Sequence, residues 1–264
     1  MSLPLFTVDS FTEVPFKGNP AGVCLLSEAK DAAWMQNVAA EMKHAETAFL
    51  VSRAEGYDLR WFTPAVEVNL CGHATLASAH ILFQEGRVKP GEPIRFFTRS
   101  GELKARREGD MIVLDFPTQP AQEIAPPPHL LEALGGVEPL FVGQNDDDYL
   151  VCVSSAEMVK ALSPDFAQLK RFDVRGVIVT ASDNQSGVDF VSRFFAPGAG
   201  IDEDPVTGSA HCCLAVYWNQ RLHKTEFIAH QLSARGGVLR VTLAGDRVLL
   251  GGHAVTVWKG SLLA

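Results

Sequence analysis

Two stretches far apart in the chain read almost as copies of each other, and any fold has to accommodate both. The first is RWFTPAVEVNLCGHATLASA, starting at Arg60, and the second is RFFAPGAGIDEDPVTGSAHCCLA, starting at Arg193. Arg60 matches Arg193, Phe62 matches Phe195 and Pro64 matches Pro197. After three extra residues in the second stretch, Cys71-Gly72-His73-Ala74 matches Thr207-Gly208-Ser209-Ala210. Each reads as a strand, a proline-containing loop with acidic residues, then a small-residue turn into an apolar helix. One such match describes a common strand-to-helix connection. Two, each in its own half and each inside a run of strands, predict a chain of two similar lobes.

The surrounding periodicity alternates strands with a few helices. PLFTVDSF and AGVCLL read as strands joined by the turn FKGNP. DAAWMQNVAAEMKH reads as a helix capped by Asp31, with Trp34, Met35, Val38 and Met42 on its apolar face. AETAFLVSR and YDLRWFTP follow as strands, and HATLASAHILFQEG as a strongly apolar helix ended by Gly86. IRFFTRSGELKARREGDMIVLDFP predicts three strands with tight turns between them. The prolines of TQPAQEIAPPPH cannot feed a sheet ladder, so residues 118–129 read as a linker. Strands restart near residues 140–142, 149–153, 177–180 and 189–195, the helix GSAHCCLAVYWNQRL follows, and strands run to the end.

Composition closes off several functions. A chain of 264 residues can bury a substantial core. Its net charge of −8 argues against nucleic acid, which needs clustered Lys and Arg, and the short basic run at residues 104–107 reads as a solvated strand face. No apolar stretch reaches the length of a membrane span, and MSLPLFTVDSF lacks the basic start of a signal peptide. Five cysteines without disulfide spacing predict reduced thiols and a cytoplasmic protein. There is no dinucleotide fingerprint, no P-loop and no lysine placed for a Schiff base, so no cofactor is expected.

The paired helix starts suggest a ligand. A helix N-terminus carries unpaired N–H groups and partial positive charge, and glycine there lets a ligand approach the backbone. If the lobes face each other, the helices beginning at Gly72 and Gly208 form a site for a small anionic substrate. Asp202, Glu203 and Asp204 then read partly as caps, and Asp204 as the acid that would meet a substrate amine or hydroxyl.

The chain resembles the PhzF family of phenazine biosynthesis-like isomerases, within the diaminopimelate epimerase-like fold. The resemblance rests on FTEVPFKGNPAGVCLL, AETAFL, FTPAVEVNLCGHATLASAHIL and RFFAPGAGIDEDPVTGSAHCCLA, in that order along essentially the whole chain. It implies an α+β fold of two similar lobes, each a curved, mostly antiparallel sheet around a central helix, with the active site between them. It also implies that the last strand returns to the first lobe, which sets the lobes at residues 1–117 with 254–264 and residues 118–253. It places the family's catalytic glutamate on Glu46, and substrate-binding groups on Gly72, His73, Asp204, Gly208, Ser209 and Asn19. A carboxyl group where a strand enters the core is partly desolvated, which suits it to proton shuttling.

The expected activity is movement of a proton between carbons of a small conjugated carboxylic acid, without cofactor or metal, by a homodimer. Three alternatives stand beside it. Epimerases of this fold use two opposed cysteines, but here the second of those positions is Thr207, whose hydroxyl does not ionise near neutral pH; Cys71 then reads as a small buried residue. A zinc site from Cys71, His73, His211 and Cys212 has poor ligand spacing, since adjacent helical residues diverge by about 100°. The third alternative is a small-molecule-binding or protein-interaction module without turnover.

Overall fold

The computed structural model describes residues 2–89, 91–183 and 187–263. The chain forms two compact units, Met1–Phe116 with Leu250–Ala264 and Pro117–Leu249. The class is α+β. No helix among the described residues is long and apolar enough to cross a membrane.

The first unit runs β1 (Leu3–Ser10), β2 (Asn19–Leu26), α1 (Ala32–Met42), β3 (Glu46–Arg53), β4 (Gly56–Phe62), β5 (Glu67–Val68), α2 (Gly72–Gln84), β6 (Ile94–Thr98), β7 (Gly101–Glu108) and β8 (Met111–Pro117). Asp31 caps α1 by accepting from the Trp34 N–H at 2.8 Å. Met35, Val38 and Ala39 of α1 are buried, packed with Leu3, Leu5, Cys24, Phe49 and Phe62. The α2 helix differs in kind. Residues from His73 through Leu82 are buried with one exception, His80, and strands β1, β2, β3 and β7 pack around it. A helix that is apolar on every side has to be enclosed, and the run of Ala and Ser in LASAH lets strands approach closely.

The second unit runs β9 (Gln122–Glu123), α3 (Leu130–Ala133), β10 (Phe141–Gln144), β11 (Asp148–Cys152), α4 (Ala156–Ala161), α5 (Phe166–Leu169), β12 (Gly176–Ser182), β13 (Phe190–Ala196), β14 (Ile201–Asp204), α6 (Gly208–Leu222), β15 (Glu226–Gln231), β16 (Gly237–Ala244) and β17 (Arg247–Gly252). Its enclosed helix is α6, with nine buried residues from Gly208 to Trp218. The final strand, β18 (Ala254–Leu262), pairs antiparallel with β1, Leu3 opposite Leu262 and Ser10 opposite Ala254.

Strand pairing follows the same order in both units. In the first, β1–β2 is antiparallel, β2–β3 parallel, β3–β4 and β4–β5 antiparallel, β4–β6 parallel and β6–β7 antiparallel. In the second, β10–β11 is antiparallel, β11–β12 parallel, β12–β13 and β13–β14 antiparallel, β13–β15 parallel and β15–β16 antiparallel. Matching side chains make matching contacts. Arg60 forks onto Glu67 at 2.7 and 2.8 Å and lies 5.1 Å from the Phe62 ring centre. Arg193 forks onto Glu203 at 2.7 and 2.9 Å and lies 4.8 Å from the Phe195 ring centre.

Two expectations need correction. Residues 118–129 are not a plain linker: Gln122 and Glu123 pair with Gln144 and Gly143, because the prolines on either side leave those backbone groups free to bond. None of the acids before α6 is its N-cap residue. Its N-cap residue Thr207 makes no side-chain cap bond, Glu203 is taken by Arg193, and Asp204 accepts from the Thr207 hydroxyl.

Candidate active site

In the first unit, three sequence-predicted groups meet at the start of the enclosed helix. Glu46 is the first residue of β3, and β3 pairs with β2 so that Glu46 stands opposite Ala21. Gly72 and His73 open α2, whose N-cap residue Cys71 provides no side-chain cap. This geometry brings His73 Nε2 to 3.2 Å from Glu46 Oε2, with the two side chains only 6% and 13% exposed. The approach is close but lacks hydrogen-bond direction, so Oε2 is buried without a hydrogen-bond donor.

Cys71 is the third member of the cluster. Its Sγ lies 3.5 Å from His73 Nδ1 and 4.0 Å from Nε2. Burial, reinforced by the Glu46 carboxylate, pushes the Cys71 thiol up to about 11, so it is protonated at neutral pH. Burial opposes the charged His73 imidazolium, but Cys71 and Glu46 outweigh it and hold His73 well above the ordinary histidine range. With Cys71 a thiol, the Glu46 carboxylate is the neighbour that carries this effect.

Two groups that the sequence reading passed over shape this end of α2. Ser10, fully buried, donates to the His73 carbonyl at 2.8 Å across 63 residues of chain. The Thr75 hydroxyl bonds back to the Cys71 carbonyl at 2.5 Å. Asn19 is buried opposite Ser10 at the first position of β2. No spacing signal announces Ser10, since its partner lies on an element that only folding brings near.

In the second unit, Asp204, Gly208 and Ser209 gather at the start of α6. Gln231 on β15, buried and unforeseen, holds this turn. Its Oε1 accepts from the Thr207 N–H at 2.8 Å, and its Nε2 donates to the Asp204 carbonyl at 2.7 Å. Thr207 Oγ1 donates to Asp204 Oδ2, so the residue standing where an epimerase has its second cysteine orients a carboxylate instead.

The metal-competent group among the described residues is Glu46, Cys71 and His73, whose ligating atoms lie within 4.8 Å of one another. His211 and Cys212, the other two residues of the zinc set that the sequence suggests, do not join it. His211 Nδ1 instead contacts the Thr207 carbonyl at 2.8 Å, and burial pushes the Cys212 thiol up to about 12.

The mixed α+β chain has an epimerase-like fold. It shares the fold of a hydroxyproline epimerase from Agrobacterium vitis, with TM-score 0.66 at 12% identity over 99% of this chain and 92% of that one. More narrowly, the chain belongs to the phenazine biosynthesis-like PhzC-PhzF family, whose sequence model matches residues 8–260. It is 52% identical to an uncharacterized isomerase of Halalkalibacterium halodurans over 264 residues, covering 100% of this chain and 99% of the relative. The crystal structure of a PhzF-family phenazine biosynthesis protein from Enterococcus faecalis superposes with TM-score 0.95 at 42% identity, covering 100% of both chains. The family and its relatives support an isomerase or epimerase activity.

Proposed function

We propose that the chain is an isomerase that moves a proton between carbons of a small conjugated carboxylic acid, with Glu46 as the carrier and no cofactor. The observation that carries this reading is the Glu46–His73 pair: two largely enclosed groups 3.2 Å apart, with one carboxylate oxygen left without a hydrogen-bond donor. A carboxylate not committed to a donor keeps its basicity, and a carboxyl group held still in a water-poor site can take a proton from a substrate carbon and return it to a neighbouring one. His73 orients the substrate and supports the charge that develops as the proton moves. Gly72, with the uncapped α2 N–H groups, offers a seat for the substrate carboxylate. Asn19, Asp204, Gly208 and Ser209 are substrate-binding groups in the same proposal. A two-thiol racemase is disfavoured, because the Thr207 hydroxyl is already engaged by Asp204 and Gln231.

The test begins with a screen of small unsaturated carboxylic acids for isomerisation and deuterium uptake in deuterated water. With a substrate in hand, Glu46→Gln keeps the shape and cannot accept the proton. Its kcat is expected to fall by about 10²–10⁴-fold while binding survives. Turnover within a few-fold of wild type would remove Glu46 as the carrier. Asp204→Asn is expected to weaken binding and turnover together.

A further inference from the structure

We propose that Glu46, Cys71 and His73 form a binding site for a divalent zinc-type cation, and that the bound ion shuts the isomerase off by occupying its proton carrier. The inhibitory consequence rests on the function proposed above; the binding itself does not.

The donor set comes first. A thiolate sulfur, an imidazole nitrogen and a carboxylate oxygen together suit Zn²⁺, and the soft sulfur disfavours Mg²⁺ and Ca²⁺. The geometry follows. With Zn–S near 2.3 Å and Zn–N and Zn–O near 2.0–2.2 Å, ligating atoms around a tetrahedral ion stand about 3.3–3.6 Å apart. His73 Nε2 is 3.2 Å from Glu46 Oε2 and 4.0 Å from Cys71 Sγ, one edge slightly short and one slightly long. One ligating atom from each of the three residues lies within 4.8 Å of the others, so rotation of the Cys71 and Glu46 side chains by about an ångström closes the set on an ion.

A second observation points the same way. Glu46 Oε2 is buried without a hydrogen-bond donor, although a ring nitrogen stands beside it. A buried carboxylate oxygen is costly to leave unsatisfied, and a cation shared with Nε2 satisfies it. Three protein ligands leave the fourth position of the ion for water or a substrate carboxylate. On coordination the Cys71 S–H bond and the Nε2–H bond of the His73 imidazolium break, S–Zn and N–Zn bonds form, and both protons pass to solvent; no oxidation or reduction is involved. The Glu46 oxygen that would take a substrate proton is then bound to metal.

The experiment uses the full chain, stripped of metal by dialysis against chelator. It is titrated with Zn²⁺ by calorimetry and with Co²⁺ by absorbance, which reports thiolate ligation as a sulfur-to-cobalt charge-transfer band. One equivalent per chain and that band are expected. Cys71→Ser should abolish the band and weaken Zn²⁺ binding by more than the roughly 10–100-fold that loss of an outer-shell partner costs. His73→Gln should weaken binding comparably, and it decides the matter if Cys71→Ser does not fold. His129→Ala, which breaks an exposed His129–Glu132 pair, should leave the titration unchanged. Absence of binding, binding without the thiolate band, or binding that survives both Cys71→Ser and His73→Gln overturns the site. Once a substrate is known, one equivalent of Zn²⁺ should abolish turnover and chelator restore it; full turnover in the zinc-loaded chain overturns the switch. Failure of the isomerase reading removes only that last measurement, because the titrations need no substrate.

Discussion

His211 is fully buried on α6, its Nδ1 at 2.8 Å from the Thr207 carbonyl and its ring stacked on Phe190 with centroids 6.0 Å apart. Burial pushes its pKa down from 6.5 to about 4, with the Thr207 carbonyl as the only counterweight, so the ring is neutral at pH 7. The sign follows from linkage: between about pH 4 and 6.5 the unfolded chain binds a proton that the folded chain refuses, so stability falls as the pH falls. His211 therefore contributes fully above pH 6.5, and by pH 4.5 about 2–3 kcal/mol of that contribution is lost. Urea unfolding of wild type and His211→Leu at pH 7 and pH 4.5 checks this. The variant should lose less stability on acidification by about that amount, and equal losses would refute the assignment. Sequence reading could pair His211 with its neighbour Cys212 as donors, but not foresee that its polar edge serves the backbone of its own helix. Glu46 was singled out only by the family resemblance of AETAF; its local sequence alone reads as an ordinary strand-edge glutamate. Ser10 and Gln231 were not singled out, because each acts on a residue that the chain reaches only after folding.

At the scale of the element, helices α1, α2 and α6 were readable from spacing, caps and apolar runs, and α2 and α6 open on candidate site residues. The short helices α3, α4 and α5 were not, since four to six residues give too little periodicity to register. Ser155 caps α4 and Asp165 caps α5, bonding the N–H groups of Met158 and Gln168 at 3.2 and 3.0 Å; these were signals too small to stand out among loop residues. Strand β4 begins on Gly56, whose φ is +142°, and a Cβ built there would stand 2.2 Å from the Arg95 carbonyl oxygen. Both the backbone angle and the clash with another strand's backbone exclude a side chain. Gly101 has φ +103° and open space around it, so it isolates the first effect. Gly101→Ala should cost about 1–3 kcal/mol for the backbone conformation alone. Gly56→Ala should cost more, measured as a lower denaturant midpoint, because β4 must also move off β6. Equal costs would mean that the Gly56 contact relaxes freely.

At the scale of the whole molecule, the first unit is completed by the last residues of the chain. Strand β18 covers β1, and its Thr256 contacts His80 and Gln84 of the enclosed helix at 3.0 and 2.7 Å. A chain ending at Gly252 would leave β1 with an open edge and the side of α2 unsheltered. We expect that truncation to be insoluble or to lose hydrogen-exchange protection in β1 and α2, while residues of the second unit keep theirs. Native protection of β1 in the truncated chain would show that β18 is dispensable. The repeated stretches, the helix starts and most strand runs are properties of local sequence, because capping, turn chemistry and periodicity act over a few residues; the AETAF glutamate stood out only through the family resemblance. The tertiary structure decided which distant groups meet: Ser10 with His73, Gln231 with Thr207, and Cys71 and His73 with Glu46. Those meetings depend on strand register and on the closure of long loops, and no short window of sequence records either.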